Sequence, residues 1–441
     1  MLALIALNAN GREIAGYDSQ PTKYAARELA VRGTLLLDRV IERIPGLADR
    51  PAFGRTVDGH VRSSYPVLPS IIAAGPAWLL GRSGVLDLEG PLAPTVIAKL
   101  TASLLVALAI ACAFLIASQR TSTGIAAVVA IAFGLGTNVW LAGQTLGGHE
   151  TVAFGLTAAL VFLASPGPVV GGGQAWIAVL MLAVAGAARA QVAPAVAILA
   201  LSLVVRSRFR QWLPLSVLAV ASGLVIAANV SWFGHPLGAV PQLESLHAAV
   251  HATSGTFSAP WNGALGLLFS PSRGLVIFSP IVLVCLAGLW PAFREGWRGP
   301  LIWCLAAAVV EFALYACYTV WWGGHTYGPR YVLDALPPLI PIAAAGASAL
   351  ARSRPGRVLA VVALCWSVLI AATGAFSYPA ERWNTDPAEV DTHHERLWDW
   401  RDTQFVRCWK AGLSPQNLDL FQKDVFHPPP SPPAESGQKP R

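Results

Sequence analysis

AWIAVLMLAVAGAARAQVAPAVAILALSLVV, residues 175–205, is apolar throughout and carries one charge, Arg189. One transmembrane helix needs about 17 to 25 residues, so this run is long enough to cross a bilayer, turn and return. AGAARAQVAPAV, with its small residues and Pro194, would be the turn. The charges around it point the same way. Arg206, Arg208 and Arg210, then Arg294 and Arg298, then Arg352, Arg354 and Arg357 mark connectors of the kind retained in the cytoplasm. All three fall on one side only if 175–205 crosses twice.

Further apolar runs lie at 66–81, 94–117, 123–142, 151–165, 213–232, 274–293, 300–322, 330–350 and 357–376. Hydrophobic residues make up 54% of the chain and charged ones 12%, more apolar surface than a water-soluble core could hide. The expected fold is all-α: a polytopic transmembrane bundle of about 10–12 helices, multi-pass in the cell membrane. The net charge of +7 sits in connectors beside apolar runs, which points to membrane orientation, and no nucleic-acid motif is present. Five of the six cysteines lie in apolar runs, so no disulfide framework or metal cluster follows.

Strict alternation from the arginine connectors puts 143–150, 233–273, the HTYGPR turn and everything after 377 outside. Residues 9–64 join them if 66–81, with Pro66, Pro69, Gly75 and Pro76, is half-inserted; a full span there would leave 9–64 inside. In that stretch, PTKYAARELAVRGTLLLDRVIERI sets charges against Tyr24, Val31, Leu35 and Ile44 and reads as a helix along the membrane surface. MLALIALN is too short to span. It reads as the tail of a first membrane helix, with an apolar stretch expected upstream, or as an interfacial anchor. The domain plan is a membrane domain over 1–376, an aromatic extracytoplasmic segment over 377–426 and a disordered tail over 427–441.

Charge within or at the edge of a membrane is costly and is the first place to look for function. Arg189, in the expected turn, faces the side of His149 and Glu150 and suits either an anionic ligand or lipid headgroups. Arg273 in FSPSRGLVIF and Arg330 in WWGGHTYGPRY start outer helix ends against the usual charge bias, with His325 beside the second; both suit a phosphate. Glu311, in the middle of an apolar run, reads as a structural hydrogen bond to another helix. Asp18, in GYDSQPTKY, is either a base for an attacking hydroxyl or a helix N-cap.

Taken in order, GYDS, SSYPVLPSIIAAGP, GGHE, ARAQVAP, SPSRG and WWGGHTYGPRY resemble the GT-C-type glycosyltransferases, which include bacterial aminoarabinose transferases and protein O-mannosyltransferases. The resemblance implies transfer of a sugar from a polyprenyl-phosphate carrier to a lipid, glycan or protein acceptor at the outer face. It implies a catalytic role for Asp18 and donor-phosphate contacts from Arg189, Arg273, Arg330, His149 and His325. A divalent metal is left open as cofactor, since the loop has neither an Asp-Glu pair nor an Asp-x-Asp. The rival readings are a transporter or flippase of lipid-linked sugars, against which the lack of internal repeats counts, and a non-catalytic membrane partner.

Overall fold

The computed structural model describes residues 1–14, 16–166, 171–243 and 256–422. The 427–441 tail and the middle of the 233–273 loop lie outside the described residues. The first half of the chain forms α1 (Leu2–Leu7), α2 (Gln20–Arg32), α3 (Asp38–Arg43), α4 (Leu68–Arg82), α5 (Ala93–Ser118), α6 (Thr123–Leu135), α7 (Val139–Ala142), α8 (His149–Leu163), α9 (Gly173–Ala188), α10 (Ala193–Arg206) and α11 (Ser216–Phe233). The second forms α12 (Pro260–Phe269), α13 (Leu275–Phe278), α14 (Val284–Glu295), α15 (Leu301–Ala316), α16 (Leu336–Leu350), α17 (Arg354–Phe376), α18 (Gln404–Ala411) and α19 (Asp419–Gln422). A two-stranded antiparallel sheet, β1 (Phe53–Arg55) and β2 (Val61–Ser63), is the one sheet among the described residues.

Four helical stretches, Ala93–Ser118, Leu213–Phe233, Arg330–Leu350 and Arg354–Phe376, are long and apolar enough to cross a membrane. Pro280–Arg298 and Leu301–Ala316 qualify together as a pair bent by 109°. α6, α8, α9 and α10 are shorter apolar helices packed among them. The polytopic bundle expected from the sequence is the fold the chain adopts.

Hydrogen bonds at the helix ends fix the direction of the central helices. Arg189, between α9 and α10, pairs with Asp334 and lies against Gly148 at the start of α8. Arg206, at the far end of α10, donates to the carbonyls of Leu163 and Ser165 at the other end of α8. α9 and α10 are therefore antiparallel, the hairpin that the apolar run predicts. Arg120 pairs with Glu295 at 2.7 Å and donates to Ala164, so the connectors after α5, α8, α10 and α14 gather at one end. α16 starts beside Asp334 at the opposite end and runs away from it, which carries the arginines of 352–357 to the Arg206 end as well.

Two expectations bear on residues 18–89, and the second needs correction. Tyr65, before α4, bonds Asp18, while Glu89, beyond its C-terminus, pairs with Arg32 at the end of α2 and with Arg43 of α3. α4 thus runs alongside α2, from one end of it to the other, and its 15 residues fall short of the helices long and apolar enough to cross by themselves. α2 is not an amphipathic helix lying on a surface. It stops at Gly33, in the left-handed region, and buries Lys23, Arg27 and Glu28, while Val31 and Ile44 are exposed. Pairing makes this burial tolerable: Lys23 with Glu13 at 2.6 Å, and Glu28 with Arg27 and Arg32.

Close helix contact holds the second half together. A Cβ on Gly288 would strike the Ile342 carbonyl, and one on Gly346 the Val284 carbonyl, so α14 and α16 cross nearly backbone to backbone. Residues 377–422 then fold back over the bundle. Arg12 donates to the Ser377 carbonyl and Ser414, Asn10 to the Ala375 carbonyl, Gly11 to Asn417, and Leu420 to Gly11.

Candidate active site

Two turns and two helix starts meet at the end of the bundle away from Arg120 and Arg206. The first turn is WWGGHTYGPRY, where Gly323 and Gly324 occupy the left-handed region at φ 76° and 64° and reverse the chain tightly. Arg330 and Asp334 follow four residues apart in a short 3-10 turn ahead of α16. Their side-chain partners, Asp18, His149 and Arg189, come from three other segments.

Asp18 sits in a short helical turn before α2. Its Oδ2 accepts from Arg330 Nη1 at 3.2 Å and its Oδ1 from the Tyr65 hydroxyl at 3.1 Å. The N-cap position of α2 belongs to Ser19, whose side chain bonds Gly16 instead, so the capping role considered for Asp18 is not realised. Burial, and then the Asp18 charge, push the Tyr65 phenol above its ordinary range and keep it a donor to the carboxylate. The Asp18 side chain is 47% exposed, the most open of the acidic groups paired here with Arg330, Arg189 or His149.

Asp334 is buried and holds two of the expected residues at once. His149 Nδ1 lies 2.9 Å from its Oδ1, and Arg189 Nε donates to Oδ2 at 3.1 Å. Arg189 also donates to the Tyr315 hydroxyl at 3.0 Å, and Tyr315 stacks on Tyr331 with ring centres 4.6 Å apart. Arg330 lies over the same Tyr331 ring at 5.4 Å. Asp18–Arg330 and Arg189–Asp334–His149 are thus adjoining networks joined by two stacked aromatic rings. Glu311, one turn before Tyr315 on α15, is fully buried and accepts no hydrogen bond among the described residues, so the expected interhelical bond is not made.

Beside these networks opens a cavity of about 470 Å³. His149, Glu150, His325, Arg330, Glu381 and Arg382 are its acidic, basic and imidazole lining residues, with Gln20, Asn138, Thr145, Thr326 and Thr385 among the neutral polar ones. Glu150 turns its carboxylate to the Gly147 and Gly148 amides at the start of α8. His325 Nε2 bridges Glu389 at 2.9 Å and Asp391 at 3.2 Å. These contacts, the hydrogen bond to Asp391 foremost, raise its pKa above that of an ordinary histidine.

Arg273 stands apart. It is fully buried and donates to the carbonyls of Trp322, Ser272 and Gly324 and to Asn384 Oδ1, and it does not line the cavity. It joins the 322–328 turn to the C-terminal segment, where Asn384 also donates to Thr326. Of the residues singled out from sequence, Arg330, His149 and His325 reach the cavity, Asp18 stands one contact behind it through Arg330, Arg189 stands two behind through Asp334 and His149, and Arg273 braces the turn above. Sequence reading missed Asp334, Tyr65, Glu381 and Arg382. Nothing local in the sequence marks any of the four.

No group of three or more His, Cys, Asp or Glu side chains among the described residues is disposed to hold a metal ion. Asp18 itself is held by an arginine and a phenol.

No family model matches the chain, and no curated protein is similar to it. Two solved structures are. The crystal structure of ArnT from Cupriavidus metallidurans bound to undecaprenyl phosphate aligns at TM-score 0.50 and 17% identity, covering 84% of this chain and 68% of that one. The apo ArnT structure aligns at TM-score 0.49 and 16% identity, covering 88% and 64%. The fold implied by the GT-C resemblance is the fold of the chain.

Proposed function

We propose that this protein moves a sugar from a polyprenyl-phosphate carrier to an acceptor, in the cavity beside Arg330 and on the extracytoplasmic side. The observation that carries the reading is Arg330, a cation oriented by Asp18 at the wall of a polar cavity, in the fold of a protein solved with undecaprenyl phosphate. All three arginine-rich connectors lie at the other end of the bundle, which supports an outward cavity.

In this reading the phosphate of the carrier meets Arg330, with His149 and His325 beside it. The acceptor hydroxyl attacks the anomeric carbon, the bond from that carbon to the phosphate oxygen breaks, and the carrier leaves as polyprenyl phosphate. Cations fixed in advance stabilise the charge that grows on the leaving phosphate without reorganising during the reaction. Asp18 accepts the proton of the attacking hydroxyl. Its half-open position suits this, and Arg330 and Tyr65 hold its carboxylate in place. Arg189 and Asp334 hold His149 in place, and Arg273 holds the turn that carries His325 and Arg330.

The test is sugar transfer by purified protein in detergent, supplied with a panel of polyprenyl-phosphate sugars and envelope lipids as acceptors. No gradient exists there, so a transporter or flippase would give no product. Release of polyprenyl phosphate coupled to a glycosylated acceptor is expected. Binding of the donors without any turnover across the panel would contradict the reading.

A further inference from the structure

Most charged groups around the cavity already have partners. Arg330 is held by Asp18, His149 by Asp334, His325 by Glu389 and Asp391, and the Glu150 carboxylate by two backbone amides. Two neighbouring residues of the C-terminal segment differ. The side chains of Glu381 and Arg382 line the cavity and make no hydrogen bond or ion pair among the described residues. The one contact of the Arg382 guanidinium is the face of Tyr378, at 5.9 Å.

The backbone beneath these side chains is firmly held. Arg382 N donates to the Pro379 carbonyl, and Thr385 and Asp386 donate to the Arg382 carbonyl. The next two residues anchor the turn: Trp383 is buried between the guanidinium groups of Arg273 and Arg396, and Asn384 accepts from Arg273. A fixed backbone thus holds Arg382 at the cavity lining with a guanidinium that has no ion pair to break before it meets an anion.

The geometry points to Arg382 as the cation that binds the carrier's phosphate opposite Arg330, with Glu381 beside it turned to a hydroxyl of the attached sugar. This deepens the functional reading above and rests on it. A guanidinium presents a fork of donors to phosphate oxygens. A carboxylate next to a bare phosphate repels it, whereas next to a sugar it accepts hydroxyl hydrogen bonds. The two residues therefore have opposite effects on the sugar-free carrier.

The experiment measures binding of undecaprenyl phosphate to the detergent-purified full chain, with phosphatidylglycerol and inorganic phosphate as separate probes. Arg382→Gln is expected to weaken undecaprenyl phosphate about 10-fold or more, with Arg382→Lys in between. Glu381→Gln is expected to bind it at least as tightly as wild type, a sign that mere disturbance of the turn would not give. Phosphatidylglycerol should be indifferent to both changes. An Arg382→Gln protein that binds undecaprenyl phosphate like wild type overturns the proposal, as does equal loss of phosphatidylglycerol binding, which would make Arg382 a general headgroup contact. If the wild type binds inorganic phosphate through Arg382 but not undecaprenyl phosphate, the anion site stands and the carrier reading falls. If no probe depends on Arg382, the anion site falls as well.

Discussion

Asp18 and Arg330 are 312 positions apart in sequence and meet through a single ion pair, and the reading of the site turns on that contact. Asp18→Asn keeps the shape but cannot take up the proton, so folding and carrier binding should persist while transfer falls roughly 100-fold or more. Parallel melting curves and turnover assays check this; turnover at the wild-type rate would remove Asp18 from the chemistry. A pH effect is expected at His325. Its folded pKa is raised, so its bridge to Glu389 and Asp391 is fully present below the ordinary histidine value of about 6.5 and is lost as pH rises through the folded value. The histidine is 31% and Glu389 53% exposed, so the contribution should be no more than about 1 kcal/mol. Hydrogen exchange across 386–396 should quicken with rising pH beyond its intrinsic rate, and His325→Gln should abolish the excess. Individual charges at helix ends were legible in the sequence because arginine on the outer side is unusual. Their partners were not: nothing local to Asp334 says that it holds both His149 and Arg189, and Arg273 looked like a ligand until its donors were seen on carbonyls.

Among the elements, the α9–α10 hairpin was readable because a long apolar run with one arginine at its middle leaves few other solutions. α4 was ambiguous for the opposite reason. Its apolar content fits a span, and only the contacts of Tyr65 and Glu89 show that it packs along α2. α2 was misread because pairing lets it bury charges that its pattern assigns to the surface. The α14–α16 crossing gives a prediction at this scale. Gly346→Val would push a side chain into the Val284 carbonyl, so the detergent-solubilised variant should lose about 1 to 3 kcal/mol of stability. Val362→Ala, exposed on α17, serves as control. A melting temperature unchanged in Gly346→Val would mean that the helices do not approach this closely.

For the whole molecule, composition and the recurrence of apolar runs were sufficient for the polytopic class, and the arginine connectors for which ends belong together. The cavity was beyond reach of the sequence, since its lining comes from segments between residues 14 and 385. In a cysteine-free background and intact cells, Arg401→Cys in the exposed C-terminal segment should react rapidly with an impermeant reagent and Arg352→Cys should not. The reverse pattern would turn the protein over in the membrane. The central claim, that a polyprenyl phosphate occupies this cavity, is open to direct measurement with an undecaprenyl-phosphate analogue carrying a photoreactive group next to the phosphate. After irradiation with the purified protein and peptide mapping, adducts are expected within 145–150, 325–330 and 380–385, and excess undecaprenyl phosphate should compete them away. Adducts confined to α11 or to the 206–212 connector would contradict the account.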